Sequence, residues 1–581
     1  MEEKRNEQTF EQVREFEIDE NPRAYDQDDL QFKNYRDFAP QNSFSFHSKS
    51  GTLKIEPPDE LDEEARQPYL KNVTPKHQTY RLVRCQVNEL VISHDCTVIL
   101  YQSVVDKITG SAPNRARIIC FDDSDIKAAE TISNLDIMVQ GTGRISGDLK
   151  TLTNCTVMYT ATTVWGANTA LKDLNGCTIR ATNGSLTVDN FVDVAKDCDI
   201  YVEGVSLTCT SFVKDAVDCD VEVRNVSGTY SDKFVSAFDT RVSVAQSSVS
   251  GSGTFIDAQE SSVALMQTSM GGSITVANGG NLHLVESDSS VADITVTDAD
   301  VISRKFTMAG HTTVTNGAFH VSNYTCRNLT LTDCDVVMRV GSAETVGING
   351  RNTLIEKGAL KSLTFAGHGI TLQETKTQQG VDIDAVATRL EKLTTATDAK
   401  IKGTEATIAN ATIGAGFTCD TTSLRATELT VSASLTTSSK FVSITKASCA
   451  DATLSGVDIA LIETSAGSAT VTAKYARLVS VSAGSATVNG GFGVLSNVSG
   501  TVSATGVFIA EGCGTLNCGS GIILHDKSSP AWGGRFKRGL FATADFDFII
   551  ASMLDITAGS DITVISGGTL LERATLITMN P

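Results

Sequence analysis

The chain has 581 residues, 41% of them apolar and only 6% aromatic, with a formal net charge of −20. So acidic a chain is a poor partner for a nucleic-acid backbone. So few large anchors disfavour one thick core and favour a thin repeated one. No run of 18 apolar residues occurs and the N-terminus lacks an apolar leader core, so neither membrane insertion nor a signal peptide is expected.

Residues 1–78 read as an acidic N-terminal adaptor. Residues 1–66 carry 18 Asp/Glu against 9 Lys/Arg, and 1–78 hold six of the nine prolines. "EQTFEQVREFEI" has some helical character. Aromatics from Phe10 to Phe46 are interspersed through the segment, as suits a piece that orders against a partner and unlike a disordered tail.

Residues 79–525 read as a repetitive β rod. "HDCTVILYQ" at 94–102 resembles a first rung, and "APNRAR" after Ser111 reads as a loop leaving the stack. The repeat is clearest at "DCDIYVEG" (197–204) and "DCDVEVRN" (218–225). Cys155, Cys177, Cys198 and Cys219 form a ladder with steps of 22, 21 and 21. Phe191, Phe212, Phe234 and Phe255 form a second, with steps of 21, 22 and 21. After each Cys, apolar residues alternate with polar ones, the period of a strand. "AGSATV" recurs at 466–471 and 483–488, so the coils shorten further along the chain. The expected fold is all-β: a parallel β-helix, or β-solenoid, with coils of about 17–22 residues in which like residues stack. No proline occurs between Pro113 and Pro530, which suits uninterrupted ladders. Roughly 20 coils, with strands about 4.8 Å apart, give an expected length on the order of 100 Å. The stretch 340–400 looks less regular, and "VDIDAVATRLEKLTTATDAK" reads as a short helix or an excursion.

Residues 526–581 break the pattern with Pro530, Trp532 and a basic cluster at Arg535, Lys537 and Arg538. They are expected to form a small C-terminal β cap or an oligomerisation segment, because an open solenoid end invites aggregation.

Chemistry is sparse in the sequence. The fourteen cysteines include no CxxC and read as reduced, buried small residues. The eight histidines show no ligand spacing, so no metal and no cofactor are expected. Asp199 and Asp220 are outward residues at equivalent places one coil apart. They are the best carboxylate pair for acid–base work, against the plainer reading of a solvated face on which Glu203 stacks under Arg224. Trp165, the rod's sole tryptophan, either stacks on a sugar ring or fills a core gap.

A leaderless N-terminal adaptor, a long Ser/Thr/Gly-rich stack with Cys and Phe ladders, and a separate C-terminal segment together resemble bacteriophage tailspikes, tail fibres and virion spikes built on β-solenoid shafts. That resemblance implies a homotrimer, attached to other virion proteins through residues 1–78, with a host surface polysaccharide as ligand. It implies synthesis in the host cytoplasm and residence on the virion. Many tailspikes cleave polysaccharide with clustered Asp/Glu, and no such cluster is legible here. The leading expectation is therefore a structural spike or fibre. A polysaccharide-degrading β-helix enzyme and a non-enzymatic cell-surface adhesin are the alternatives.

Overall fold

The computed structural model describes residues 43–47, 50–55, 78–161, 164–289, 293–511, 515–524 and 562–564. The chain divides into two compact units, Met1–Ser231 and Asp232–Pro581. Every described element is a β-strand, every strand pairing is parallel, and each unit is a β-solenoid. The proposed helix near the N-terminus and the C-terminal basic cluster lie outside the described residues.

In the first unit a regular coil alternates a short and a long strand. Asp199–Glu203 is followed by Ser206–Val217, and the next coil begins with Asp220–Arg224. The short strands alternate buried and outward positions, so Val157, Ile179, Ile200 and Val221 stack in register as one apolar column. Corners between strands are made by single residues in the left-handed region: Asn154, Gly176, Asp197 and Asp218 have φ of 52, 63, 53 and 53°. Glycine, Asn and Asp tolerate that region best, and so they stand there.

The cysteine ladder follows directly from these corners. Each cysteine comes just after the left-handed residue, where its own N–H lacks a strand partner. Cys155 N–H donates to Cys177 Sγ (3.4 Å), Cys177 to Cys198 (3.3 Å) and Cys198 to Cys219 (3.4 Å). The thiols donate to nearby carbonyls, for example Cys198 Sγ to Lys196 O at 3.0 Å. In other coils hydroxyls take over: Ser103 N–H donates to Ser124 Oγ in the first unit, and Thr240 N–H to Ser261 Oγ in the second. The ladder satisfies buried backbone donors and forms no disulfides. The twelve cysteines from Cys85 to Cys449 are buried thiols outside any disulfide.

The phenylalanine ladder is core packing. Phe191 and Phe212 stack at 5.3 Å and 7° in the first unit, and Phe234 and Phe255 at 4.9 Å and 4° in the second. All four are fully buried.

Three local expectations are sharpened or corrected. The stack begins before residue 94: Ser43–His47 pairs with Gln78–Val83, which pairs with Cys96–Tyr101. Ser43–His47 and Ser50–Ile55, which fall within the expected adaptor, thus pair in parallel with the first strands of the stack. Around Pro113 the departure from the ladder is short: residues 112–115 have no partner in the pairing with Ala129–Gly141, and 113–115 are exposed. Pro113 lies within the strand Ile108–Phe121, where the register shifts between Ser111 and Ala116 and Asp95 accepts the backbone N–H groups of Asn114 and Arg115. Such a bulge leaves a position without a ladder bond, so proline is tolerated. Finally, 340–400 contains no helix. Val381–Glu391 is a strand that pairs with Ala399–Ile413, and it alternates buried and exposed side chains along its length.

This stretch opens the most regular part of the second unit. Its left-handed corners fall at Lys357, Glu374, Lys392, Asn410, Glu428, Lys446, Glu463, Ser480 and Asn497, one per coil at a nearly constant interval. Charges of opposite sign meet along this column, as Glu374 with Lys392 (2.9 Å) and Glu428 with Lys446 (4.0 Å). Exposed pairs of this kind are screened by solvent and contribute little to stability. A neighbouring column explains two glycines. Tyr324 is buried just after the corner Asn323. A Cβ on Gly341 would lie 2.5 Å from its ring, and one on Gly358 would lie 3.4 Å from its hydroxyl. The tyrosine occupies the space that these glycines leave.

Candidate functional site

Asp199 and Asp220 are register partners on the outer face of the first unit, as their spacing implies. Their surroundings are those of a knitted surface. Arg224 pairs with Glu222 on its own strand instead of capping Glu203, its register neighbour. Glu203 instead accepts the Tyr201 hydroxyl at 2.5 Å. The guanidinium of Arg180 lies 5.3 Å above the Tyr201 ring. Burial and then Glu203 push the Tyr201 hydroxyl up to about 12, so it remains a donor at neutral pH.

Trp165 does not face solvent. It is fully buried, 5.2 Å from Tyr159 and edge-on to Phe191 at 5.6 Å. It heads the stack of Phe191 and Phe212, so the sugar-stacking expectation gives way to core filling. The indole has the size to bridge from Tyr159 to the narrower phenylalanine column.

Hydrogen bonds with Cys155 and Cys198 lower the thiols of Cys177 and Cys219, both of them buried, and the other shifted cysteines move up. Burial pushes Cys120, Cys209 and Cys326 up to about 12. Cys155 and Cys198 are held above the ordinary thiol range by hydrogen bonding to Cys177 and by burial. A thiol so held stays protonated and inert at neutral pH. Among the described residues no three His, Cys, Asp or Glu side chains converge as metal ligands.

A concavity on the second unit has no signature in the sequence. It is a groove of about 1050 Å³ crossing successive coils, with His320 and Asp335 among its lining residues. Its origin is a column of outward positions. Gly369 pairs with Ala387 and Ala387 with Glu405, while Asn352 is also in the lining. Two successive coils thus present a hydrogen and a methyl where their neighbours present long side chains. A Cβ on Gly369 would still stand 3.6 Å from Asn352 Oδ1, so the floor is open. Two residues along, Thr371, Arg389 and Thr407 form a parallel polar column. Arg389 is 3.6 Å from Glu391, which leaves Glu405 and Asp335 as the groove's carboxylates without an ion pair among the described residues. Amide, hydroxyl, guanidinium and carboxylate groups facing a shallow trough suit a ligand covered in hydroxyls.

A second trough, of about 950 Å³, lies on the first unit, where Thr187 and Thr208 are register partners in its wall. Its charges are largely spent on one another, as with Lys150 and Glu130 at 2.6 Å.

The chain matches no family model, no curated protein and no solved structure.

Proposed function

We propose that the chain is a structural protein of a virus particle, a spike or tail-fibre shaft, that holds a surface polysaccharide against the side of its solenoid without cleaving it. On this reading three copies assemble, residues 1–78 attach them to other virion proteins, and the groove over Asn352, Gly369, Ala387 and Glu405 meets the ligand. The observation that supports it is the columnar surface of the second unit. Outward positions recur in register at every coil, so evenly spaced places for successive units of a polymer line the stack, while the side chains there vary, as Ala387, Glu405 and Ser423 do. The acidic balance of the chain turns the reading away from nucleic acid.

The second reading is a polysaccharide-cleaving enzyme. It is favoured by Asp335 and Glu405 lining the same groove beside Arg389. The two are separated by incubating the full chain with bacterial surface polysaccharides and measuring both retention of the polymer and its length. Retention with unchanged length is expected. Shortening of the polymer that is lost in Glu405→Gln would overturn the structural reading in favour of the enzyme.

A further inference from the structure

Besides Phe238, two aromatics stand exposed in the second unit, Phe441 and Tyr475, each 45% exposed. They belong to one outward column. Glu405 pairs with Ser423, Ser423 with Phe441, and Asp458 with Tyr475. Asp458 N–H donates to Lys440 O at 3.0 Å, which places Asp458 on the coil after Phe441. The column is the continuation of the groove floor at Gly369 and Ala387.

Each aromatic carries a lysine immediately before it. Lys440 Nζ is 5.5 Å from the centre of the Phe441 ring, and Lys474 Nζ is 5.3 Å from that of Tyr475. The second dyad stands two coils after the first, with Asp458 on the coil between. In the parallel column two residues along, Arg425 pairs with Ser443 and Ala460 with Arg477. Among the described residues Arg425, Lys440, Lys474 and Arg477 have no carboxylate within ion-pair distance, whereas Lys392, Lys446 and Arg389 elsewhere on this unit do. Four uncompensated cations around two exposed rings, on a chain of net charge −20, are complementary to an anion.

We propose that this track binds an extended polysaccharide in which a uronate sugar alternates with a neutral one. The dyads are about 10 Å apart, two strand spacings, and an extended disaccharide repeat is of similar length. A pyranose ring presents C–H groups to an aromatic face, and its carboxylate meets the adjacent ammonium. Asp458 lies between the dyads. It accepts hydroxyl hydrogen bonds from a neutral sugar and repels an acid at that step. The alternation also disfavours single-stranded nucleic acid, which places a phosphate at every step. The inference rests on the glycan-binding reading above and specifies its ligand.

The test titrates the full-length chain calorimetrically with a hyaluronan octasaccharide, in which glucuronate alternates with N-acetylglucosamine. Cello-octaose is the neutral chain, an oligomannuronate carries an acid on every sugar, and oligo-dT is the polyanion without sugar acids. Hyaluronan is expected to bind most tightly, more weakly as salt rises. Phe441→Ala and Tyr475→Ala should each weaken it at least tenfold, and Lys440→Gln with Lys474→Gln should weaken it and flatten the salt dependence. All four side chains are exposed, so the melting temperature should not move. Asp458→Asn should raise the affinity for oligomannuronate. Equal binding of cello-octaose, unaffected by the lysine changes, overturns the acidic ligand and leaves glycan binding intact. Tighter binding of oligo-dT, hyaluronan binding indifferent to the substitutions, or no binding of either acidic chain overturns the inference. Binding through these residues accompanied by shortening of the polymer would retain it and overturn the structural reading instead.

Discussion

Replacing Phe212 with alanine tests the stacking register at one of its tightest points. Phe212 is fully buried, with its ring parallel to that of Phe191 at 5.3 Å. Removing a buried phenylalanine costs about 3–5 kcal/mol, a range that includes the lost ring pair and the cavity left behind. A domain of ordinary stability has about 5–15 kcal/mol in total, so the loss is a large fraction of it. In a solenoid each coil leans only on its neighbours, so damage begins locally and spreads along the stack. Urea denaturation followed by tryptophan fluorescence is a direct assay, because Trp165 packs on Phe191 in the same stack. The account expects a clearly lower midpoint for Phe212→Ala. Phe212→Leu, which keeps part of the buried volume, should cost less than Phe212→Ala, and Phe212→Asp, which buries a charge, should be worst. A Phe212→Ala variant that unfolds at the parent's midpoint would show that the two rings do not stack and that the register is wrong.

Other perturbations probe other columns. Cys198→Ser should be nearly silent, since serine does the same work at Ser124 and Ser261, whereas Cys198→Ala leaves the Cys177 N–H without its acceptor and should cost about 1–3 kcal/mol by denaturation. Val340 is a β-branched residue at φ 50° and is 45% exposed. Val340→Asn should therefore raise stability by about 1 kcal/mol, seen as a higher melting temperature. Burial holds the Cys96, Cys120, Cys209 and Cys326 thiols near 12, above the ordinary 9.0. Their contribution to stability is complete below pH 9 and is lost as pH rises from 9 towards 12. Melting temperature measured across that range should fall steadily, and a flat profile would contradict the burial of these thiols.

Some of this architecture is written plainly in the sequence. Core columns that keep one residue type, such as Cys155 to Cys219 and Phe191 to Phe212, reveal both period and register, because the same space recurs in every coil. The 340–400 stretch hides the same period. Its regular feature is a backbone conformation, left-handed at Lys357, Glu374, Lys392 and Asn410, and the side chains there alternate in charge instead of repeating. The left-handed residues are visible as the Asn, Gly or Asp before each ladder cysteine from Cys155 to Cys219, yet that signal fades where lysine and glutamate replace them. The groove is harder still, because it is made by what Gly369 and Ala387 lack, and small residues are common in this chain. Trp165 illustrates the limit from the other side: its type suits a sugar platform, and only the ring of Tyr159 against it shows that it is core.

The measurement that bears most directly on the proposed spike or fibre is the solution mass of the full-length protein by light scattering. One chain weighs 61.6 kDa. The account predicts a mass near three chains at every concentration tested. A single-chain mass that persists at high concentration would contradict a trimeric shaft.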